Sequence, residues 1–149
     1  MSYRVLAIDD DPATTELLGL LLGTHGFEVL TSNNGRRGVE LIRQQQPDVV
    51  ILDLMMPDMD GWQVCRAVRA FSQVPILILS ALDHPGQVAS ALDAGADDYL
   101  VKPVPSGVLV AHLLNLIRHA KNAPEKSISQ GEDSGAGLTT REPSLTAPG

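Results

Sequence analysis

The sequence predicts an α/β fold in which helices cover both faces of a parallel β-sheet. Five short runs rich in Val, Ile and Leu are bounded by turn residues and lie at 4–8, 27–31, 48–52, 74–79 and 97–101. Such runs are too short for most helices and too continuously apolar for strands that expose one face to solvent. They are typical of parallel strands buried on both faces. Segments with helical spacing separate the runs, and this alternation is typical of a doubly wound sheet with right-handed crossovers.

Capping residues and apolar spacing place the first helix. It begins at Asp11-Pro12, where a carboxylate can accept from free backbone N–H groups and proline suits the first helical position. Four leucines are expected to form its apolar face, and the helix is expected to end at His25-Gly26; the leucines are Leu17, Leu18, Leu21 and Leu22.

The other helices are expected at 35–45, at 61–70, after Pro85 and at 106–121. The third carries a stripe of residues for the core, namely Val64, Cys65, Val68 and Phe71. The apolar residues of the fifth cover an arc of about 160°, wider than the roughly 100° that one core contact requires. We therefore expect part of the fifth helix to contact a partner; its apolar residues are Leu109, Val110, Leu113, Leu114, Leu116 and Ile117.

Composition predicts one domain followed by a tail. The chain has 149 residues, and the regular pattern stops near residue 122. Residues 123–149 are rich in Gly, Ser, Thr and Pro and have few large apolar groups, so they predict a flexible tail or a linker.

Charge and cysteine content indicate which binding partners and which cellular compartment suit the protein. With 18 acidic and 11 basic residues the net charge is −7, which argues against direct binding to nucleic acid or to an anionic membrane. Cys65 is the only cysteine, so no internal disulfide forms, and we expect it to fill core space. No signal peptide and no apolar run of about 20 residues is present, and a cytoplasmic location is expected.

Polar side chains follow four of the five predicted strands at the same end. They are Asp9 and Asp10 after the first strand, Asp53 after the third, Ser80 after the fourth and Lys102 after the fifth. In an open parallel sheet, ligands bind in the crevice outside the carboxyl ends of the strands. The sequence therefore predicts that these five side chains converge on one site.

The chemistry of this set indicates a cation and a phosphoryl group. Three neighbouring carboxylates repel one another unless a cation compensates, and a small set of oxygen ligands suits Mg²⁺ better than zinc or calcium. Lys102 adds a fixed positive charge. Because a carboxylate can attack phosphorus and phosphoryl transfer depends on positioning and charge neutralisation, the set can support that reaction.

Five sequence motifs carry a resemblance to a known family. They are VLAIDDD at 5–11, VILDLMMP at 50–57 followed by Asp60-Gly61, ILILSA at 76–81, AGAD at 94–97 and YLVKP at 99–103. Because these motifs occur in this order and at these strand ends, the chain resembles the receiver domains of two-component response regulators over residues 3–121. The resemblance implies a flavodoxin-like (βα)5 fold with strand order 2-1-3-4-5.

The resemblance also implies roles for the acidic residues. Asp53 would accept a phosphoryl group from a phosphohistidine on a sensor histidine kinase or a phosphotransfer protein. Asp10 and Asp53 would ligate Mg²⁺ directly, Met55 would contribute its backbone carbonyl, and Asp9 would hold the metal through water. Such a chain is a regulatory acceptor, not an enzyme with a separate substrate.

Further residues would respond to the phosphoryl group. Lys102 would pair with the phosphoryl oxygens, and a cis bond would join it to Pro103. The Ser80 hydroxyl would reach the phosphorylated site, and Tyr99 would change rotamer. The face formed by the fourth helix, fifth strand and fifth helix would then signal to a partner or to an output domain, and the same face could form a homodimer.

The sequence departs from many receivers at three positions. Met55 and Leu82 each lie two residues after a site residue, where relatives often have a polar group, and neither can orient an attacking water. We therefore predict that the phosphoryl group is lost slowly. Val104 replaces an aromatic residue that often follows the proline, and we expect it to affect packing alone.

Three other functions fit the residues less well. A phosphohydrolase using an aspartyl phosphate usually has a second Asp where this chain has Met55. A nucleotide or flavin binder would need a Gly-rich loop after the first strand, where residues 9–12 are Asp-Asp-Asp-Pro. A receiver-like scaffold that works unphosphorylated would not need the acidic set. Calcium binding at 58–61 is rejected because Met56 and Ala67 occupy positions that require ligands.

Overall fold

The structure, a computed structural model, describes residues 2–122 and has five strands alternating with five helices in that range. The strands are β1 (Arg4–Ile8), β2 (Glu28–Ser32), β3 (Val49–Leu52), β4 (Ile76–Ser80) and β5 (Asp98–Val101). The helices are α1 (Pro12–Gly23), α2 (Gly35–Gln45), α3 (Gly61–Arg69), α4 (Pro85–Ala94) and α5 (Ser106–Asn122). The predicted tail at 123–149 lies outside the described residues.

The five strands form one parallel sheet in the order β2-β1-β3-β4-β5, which confirms the predicted fold class. Ile8 lies beside Leu52 of the neighbouring strand, and Leu52 lies beside Ile78. Because the strand ends are level, the residues that follow β1 and β3 leave the sheet at the same edge.

The sheet separates two hydrophobic clusters, because alternate residues of a strand point to opposite faces. In β1, Leu6 and Ile8 belong to the cluster that includes α2 and α3, whereas Val5 and Ala7 belong to the cluster that includes α1 and α5. Cys65 is fully buried in the first cluster, where burial raises the pKa of its thiol to about 11. Burial on both faces explains why the strand sequences are continuously apolar.

The largest error in the predicted helices concerns the apolar face of α1. Leu18 and Leu22, spaced by one turn, are buried, and Leu21 is half-buried. Leu17 is 55% exposed, so its assignment to the core face was wrong. A step of one residue turns the side chain about 100° around the helix axis and carries Leu17 away from the sheet. The helix also ends at Gly23, two residues before the predicted stop.

The loops at the carboxyl edge are closed by helix caps. Asp11 caps α1, because its Oδ1 accepts from the Ala13 N–H at 3.1 Å, as predicted. Asp60 caps α3 through a reciprocal pair of bonds with Gln63, each 2.9 Å long. These caps define where the loops after β1 and β3 end. Among residues 2–122, no helix is long and apolar enough to cross a membrane.

Candidate metal centre

Three carboxylates meet at the carboxyl edge of the sheet. One oxygen from each of Asp9, Asp10 and Asp53 lies within 4.8 Å of the others. Asp9 is 4% exposed and Asp53 is 8% exposed, whereas Asp10 is open to solvent. Hard oxygen ligands in small number, with one side open for water and a phosphate, fit the coordination that Mg²⁺ prefers.

The Asp9 carboxylate is already held by two donors. Its Oδ1 accepts from the backbone N–H of Asp11 at 3.0 Å, and its Oδ2 accepts from Lys102 Nζ at 2.9 Å. The lysine that was predicted to pair with a phosphoryl group on Asp53 is therefore paired with Asp9 in this structure. Because both oxygens of Asp9 already accept hydrogen bonds, an indirect contact to a metal through water is consistent with this structure.

The Asp10 carboxylate differs from its two acidic neighbours in the chain. Asp11 accepts from Ala13 N and from the Thr14 hydroxyl, and Asp9 accepts from Asp11 N and Lys102. Asp10 makes no side-chain hydrogen bond or ion pair within residues 2–122. Of the three consecutive carboxylates, Asp10 is the one with no side-chain partner to give up within the described residues.

The Asp53 carboxyl has a pKa raised above its ordinary value of 3.8. Burial is the largest cause, because it disfavours the charged form, and the negative charge of Asp9 adds to it. Lys102, the backbone N–H of Leu54 and the Ser80 hydroxyl act in the opposite direction without cancelling the effect. Three carboxylates share this pocket with the single ammonium of Lys102, and a divalent cation would neutralise the excess negative charge.

Without metal, we expect Asp53→Asn to raise the free energy of unfolding at pH 7. The raised pKa means that the charged carboxylate costs stability above that pKa. Acidification through the pKa toward 3.8 removes the cost, so the advantage of the variant shrinks as the pH falls. Urea unfolding of both proteins between pH 7 and pH 4 in a chelator measures this. A variant less stable than the wild type at pH 7 would contradict it.

The side chains of Ser80 and Tyr99 both form hydrogen bonds with Leu82, in the loop after β4. Ser80 Oγ accepts from the Leu82 N–H at 3.3 Å, and the Tyr99 hydroxyl donates to the Leu82 carbonyl at 2.6 Å. Burial raises the pKa of the Tyr99 phenol, whose ring packs against the first core cluster. Tyr99 thus connects β5 to the loop that leads into α4.

The remaining predicted site residues lie around this pocket. The Lys102–Pro103 peptide bond is cis, as the resemblance implies, and the Lys102 N–H donates to the Ser80 carbonyl at 2.9 Å. Met55 is 58% exposed, whereas Leu82 packs against the core. Of the two residues that replace polar groups, Met55 is the one that faces solvent.

Two residues that contact the acidic turn, Asn33 and Thr15, were not predicted from the sequence. Asn33 Nδ2 donates to the Asp9 carbonyl at 2.9 Å and to Thr15 Oγ1 at 3.0 Å. Asn33 directly follows β2, the neighbour of β1, so a search for all polar residues after strand ends would have found it.

The fold places the acidic pocket at the carboxyl edge of a five-stranded parallel sheet, and comparison with known proteins gives the family. Residues 5–114 match the family described as the response regulator receiver domain. The chain belongs to this family and is a receiver domain of two-component signal transduction.

Named relatives support the assignment. The chain is 39% identical over 132 residues to the DNA-binding response regulator MtrA of Mycolicibacterium smegmatis, covering 89% of this chain and 58% of that protein. It is 40% identical over 127 residues to the transcriptional regulatory protein AfsQ1 of Streptomyces coelicolor, covering 85% and 56%. The chain thus spans somewhat more than half the length of these relatives.

Solved structures agree with the fold. The BeF3-activated N-terminal receiver domain of RstA from Klebsiella pneumoniae has a TM-score of 0.74 at 36% identity, covering 77% of this chain and 98% of that one. The chemotaxis protein CheY4 of Vibrio cholerae has a TM-score of 0.74 at 32% identity, covering 78% and 99%.

Proposed function

We propose that Asp53 accepts a phosphoryl group from a phosphohistidine on a sensor histidine kinase or a phosphotransfer protein. The observation that carries this proposal is the convergence of the Asp9, Asp10 and Asp53 carboxylate oxygens within 4.8 Å at the sheet edge. Asp10, Asp53 and the Met55 carbonyl would hold Mg²⁺ directly, and Asp9 would hold it through water. Bound there, the ion would neutralise charge on the transferring phosphoryl oxygens.

The reaction needs no acid or base from this chain. An oxygen of Asp53 attacks phosphorus in line with the departing imidazole nitrogen, so that the new O–P bond forms as the P–N bond breaks. The imidazole of the donor returns to its ordinary protonation by exchange with water. The pocket contributes position and charge, which is what a loose phosphoryl-transfer transition state requires.

The response begins with Lys102. In the structure its ammonium pairs with Asp9 at 2.9 Å, and the new phosphoryl oxygens on Asp53 offer a second, more highly charged partner. Exchange of Lys102 between these partners, together with a shift of the Ser80 hydroxyl toward the phosphoryl group, alters the Leu82 loop. Tyr99 is bonded to that loop, so its ring can follow.

The α4–β5–α5 face is the proposed output surface. Leu92 on α4, Val101 on β5 and Val108 on α5 are 43%, 39% and 43% exposed. Exposed apolar side chains on three consecutive elements suit a protein contact, either with a partner or with a second copy of this chain. We propose a regulatory role in the cytoplasm with no substrate besides Asp53 itself, and the net charge of −7 argues against direct nucleic-acid binding by this chain.

Intact mass measurement after incubation with Mg²⁺ and a small acyl phosphate tests the proposal. We expect one added phosphoryl group on the wild type, none on Asp53→Asn, and none on the wild type in excess chelator. Asp60→Asn is a matched control, because it changes the capping carboxylate at the far end of the same β3–α3 loop and should still be phosphorylated. Phosphorylation of Asp53→Asn to the wild-type extent would contradict the assignment.

A further inference from the structure

A neutral side chain that directly follows β2 reaches the acidic turn. The turn of residues 9–12 joins β1 to α1 and carries the two carboxylates that belong to the metal site. Asn33 follows the carboxyl end of β2, and its single amide nitrogen donates to the Asp9 carbonyl at 2.9 Å and to Thr15 Oγ1 at 3.0 Å. Both N–H donors of this side chain are therefore used on one small region.

Thr15 extends the support to the other end of the turn. Its side chain is buried, with 3% exposed, and its hydroxyl donates to the Pro12 carbonyl at 3.1 Å while accepting from Asn33. The turn is thus held at its first residue by Asn33 and at its last by Thr15. Inside the turn, the Asp11 N–H donates to Asp9 Oδ1 at 3.0 Å.

This arrangement has a consequence for Asp10. The backbone on both sides of Asp10 is held by hydrogen bonds, whereas its carboxylate has no partner within the described part of the chain. A ligand on an immobilised backbone loses less conformational freedom when it binds an ion than one on a mobile loop does. Partners outside the ligand shell commonly orient the groups that bind the metal.

We propose that Asn33, with Thr15, is a positioning residue that preorganises the Asp9–Asp10 turn for Mg²⁺. The inference rests on the proposed function, because it takes Asp10 and Asp53 as the ligands. Asn33 is neutral, and its contact to the turn is through the backbone carbonyl of Asp9. It therefore acts on the geometry of the site and adds no charge to it.

Calorimetric titration with Mg²⁺ alone tests the inference. We expect Asn33→Ala to raise the dissociation constant for Mg²⁺ about tenfold. Thr15→Val keeps the buried shape and removes the hydroxyl together with its two hydrogen bonds, and it should raise the constant about threefold.

Asn34→Ala provides the matched control at the adjacent position. Asn34 Oδ1 accepts from the Arg37 N–H at 2.7 Å and caps α2, and within the described residues its side chain makes no hydrogen bond to the turn. Its loss should lower stability to urea while leaving the Mg²⁺ constant unchanged. An unchanged constant for Asn33→Ala, or an equal rise for Asn34→Ala, overturns the inference. A wild type that binds no Mg²⁺ overturns the proposed function instead.

Discussion

Gly61→Val is expected to lower the free energy of unfolding by about 3 kcal/mol, since the added side chain has no space. A Cβ at Gly61 would lie 2.6 Å from the carbonyl oxygen of Asp53 and 2.8 Å from the Cα of Leu54. Both are backbone atoms at the end of a central strand, so they cannot move aside as a flexible side chain would. The residue must be glycine because of this close approach.

The same change should disable the site in whatever protein remains folded. The Gly61 N–H donates to the Leu54 carbonyl at 2.9 Å, which closes the loop between β3 and α3 directly behind the proposed acceptor. A side chain there displaces the backbone of Asp53 and with it the carboxylate that faces Asp9 and Asp10. We therefore expect phosphorylation by an acyl phosphate to fall at temperatures where the variant is still folded.

Urea unfolding and intact mass measurement check both parts of this prediction. Gly19→Ala is the control, because a Cβ at Gly19, inside α1, meets nothing within 4 Å. Alanine suits a helix interior better than glycine does, so this variant should be more stable by about 0.5 to 1 kcal/mol and normally phosphorylated. A Gly61→Val protein with wild-type stability and phosphorylation would contradict the steric argument.

The strands were predictable because a strand buried on both faces has a continuously apolar sequence. The start and end of β1 agree with the prediction, and β3 and β5 each begin one residue later than predicted. Helix faces are harder to predict. Leu17 and Leu18 are equally apolar, and hydrophobicity does not say which of two adjacent leucines faces the sheet; the orientation of α1 against β1 and β2 decides that.

The convergence of the site was predictable, but its internal pairings were not. Strand ends place Asp9, Asp53 and Lys102 at one edge, because parallel strands share a direction. They do not specify which carboxylate the lysine contacts, and the structure pairs it with Asp9. Asn33 escaped notice for a related reason, since its role depends on β2 lying beside β1, a neighbour relation between strands and not a feature of the residue.

The second large effect concerns the lifetime of the phosphoryl group. Hydrolysis of an aspartyl phosphate needs a water in line with the breaking bond, and a polar side chain beside the site can orient that water. Leu82 is unsuited because it packs against the core and its backbone groups bond to Ser80 and Tyr99. Met55 is 58% exposed beside Asp53 and has no group that can orient water in this way.

We therefore expect the wild type to lose its phosphoryl group slowly and Met55→Asn to lose it about tenfold faster, equivalent to about 1.4 kcal/mol off the barrier. Met55→Leu is the control and should stay slow, because it keeps the exposed position apolar. The decay is followed by intact mass after the acyl phosphate donor is removed, with Mg²⁺ retained. A wild-type half-life of seconds would contradict the prediction of slow loss, and an unchanged rate for Met55→Asn would show that water reaches the phosphorus without help from this position.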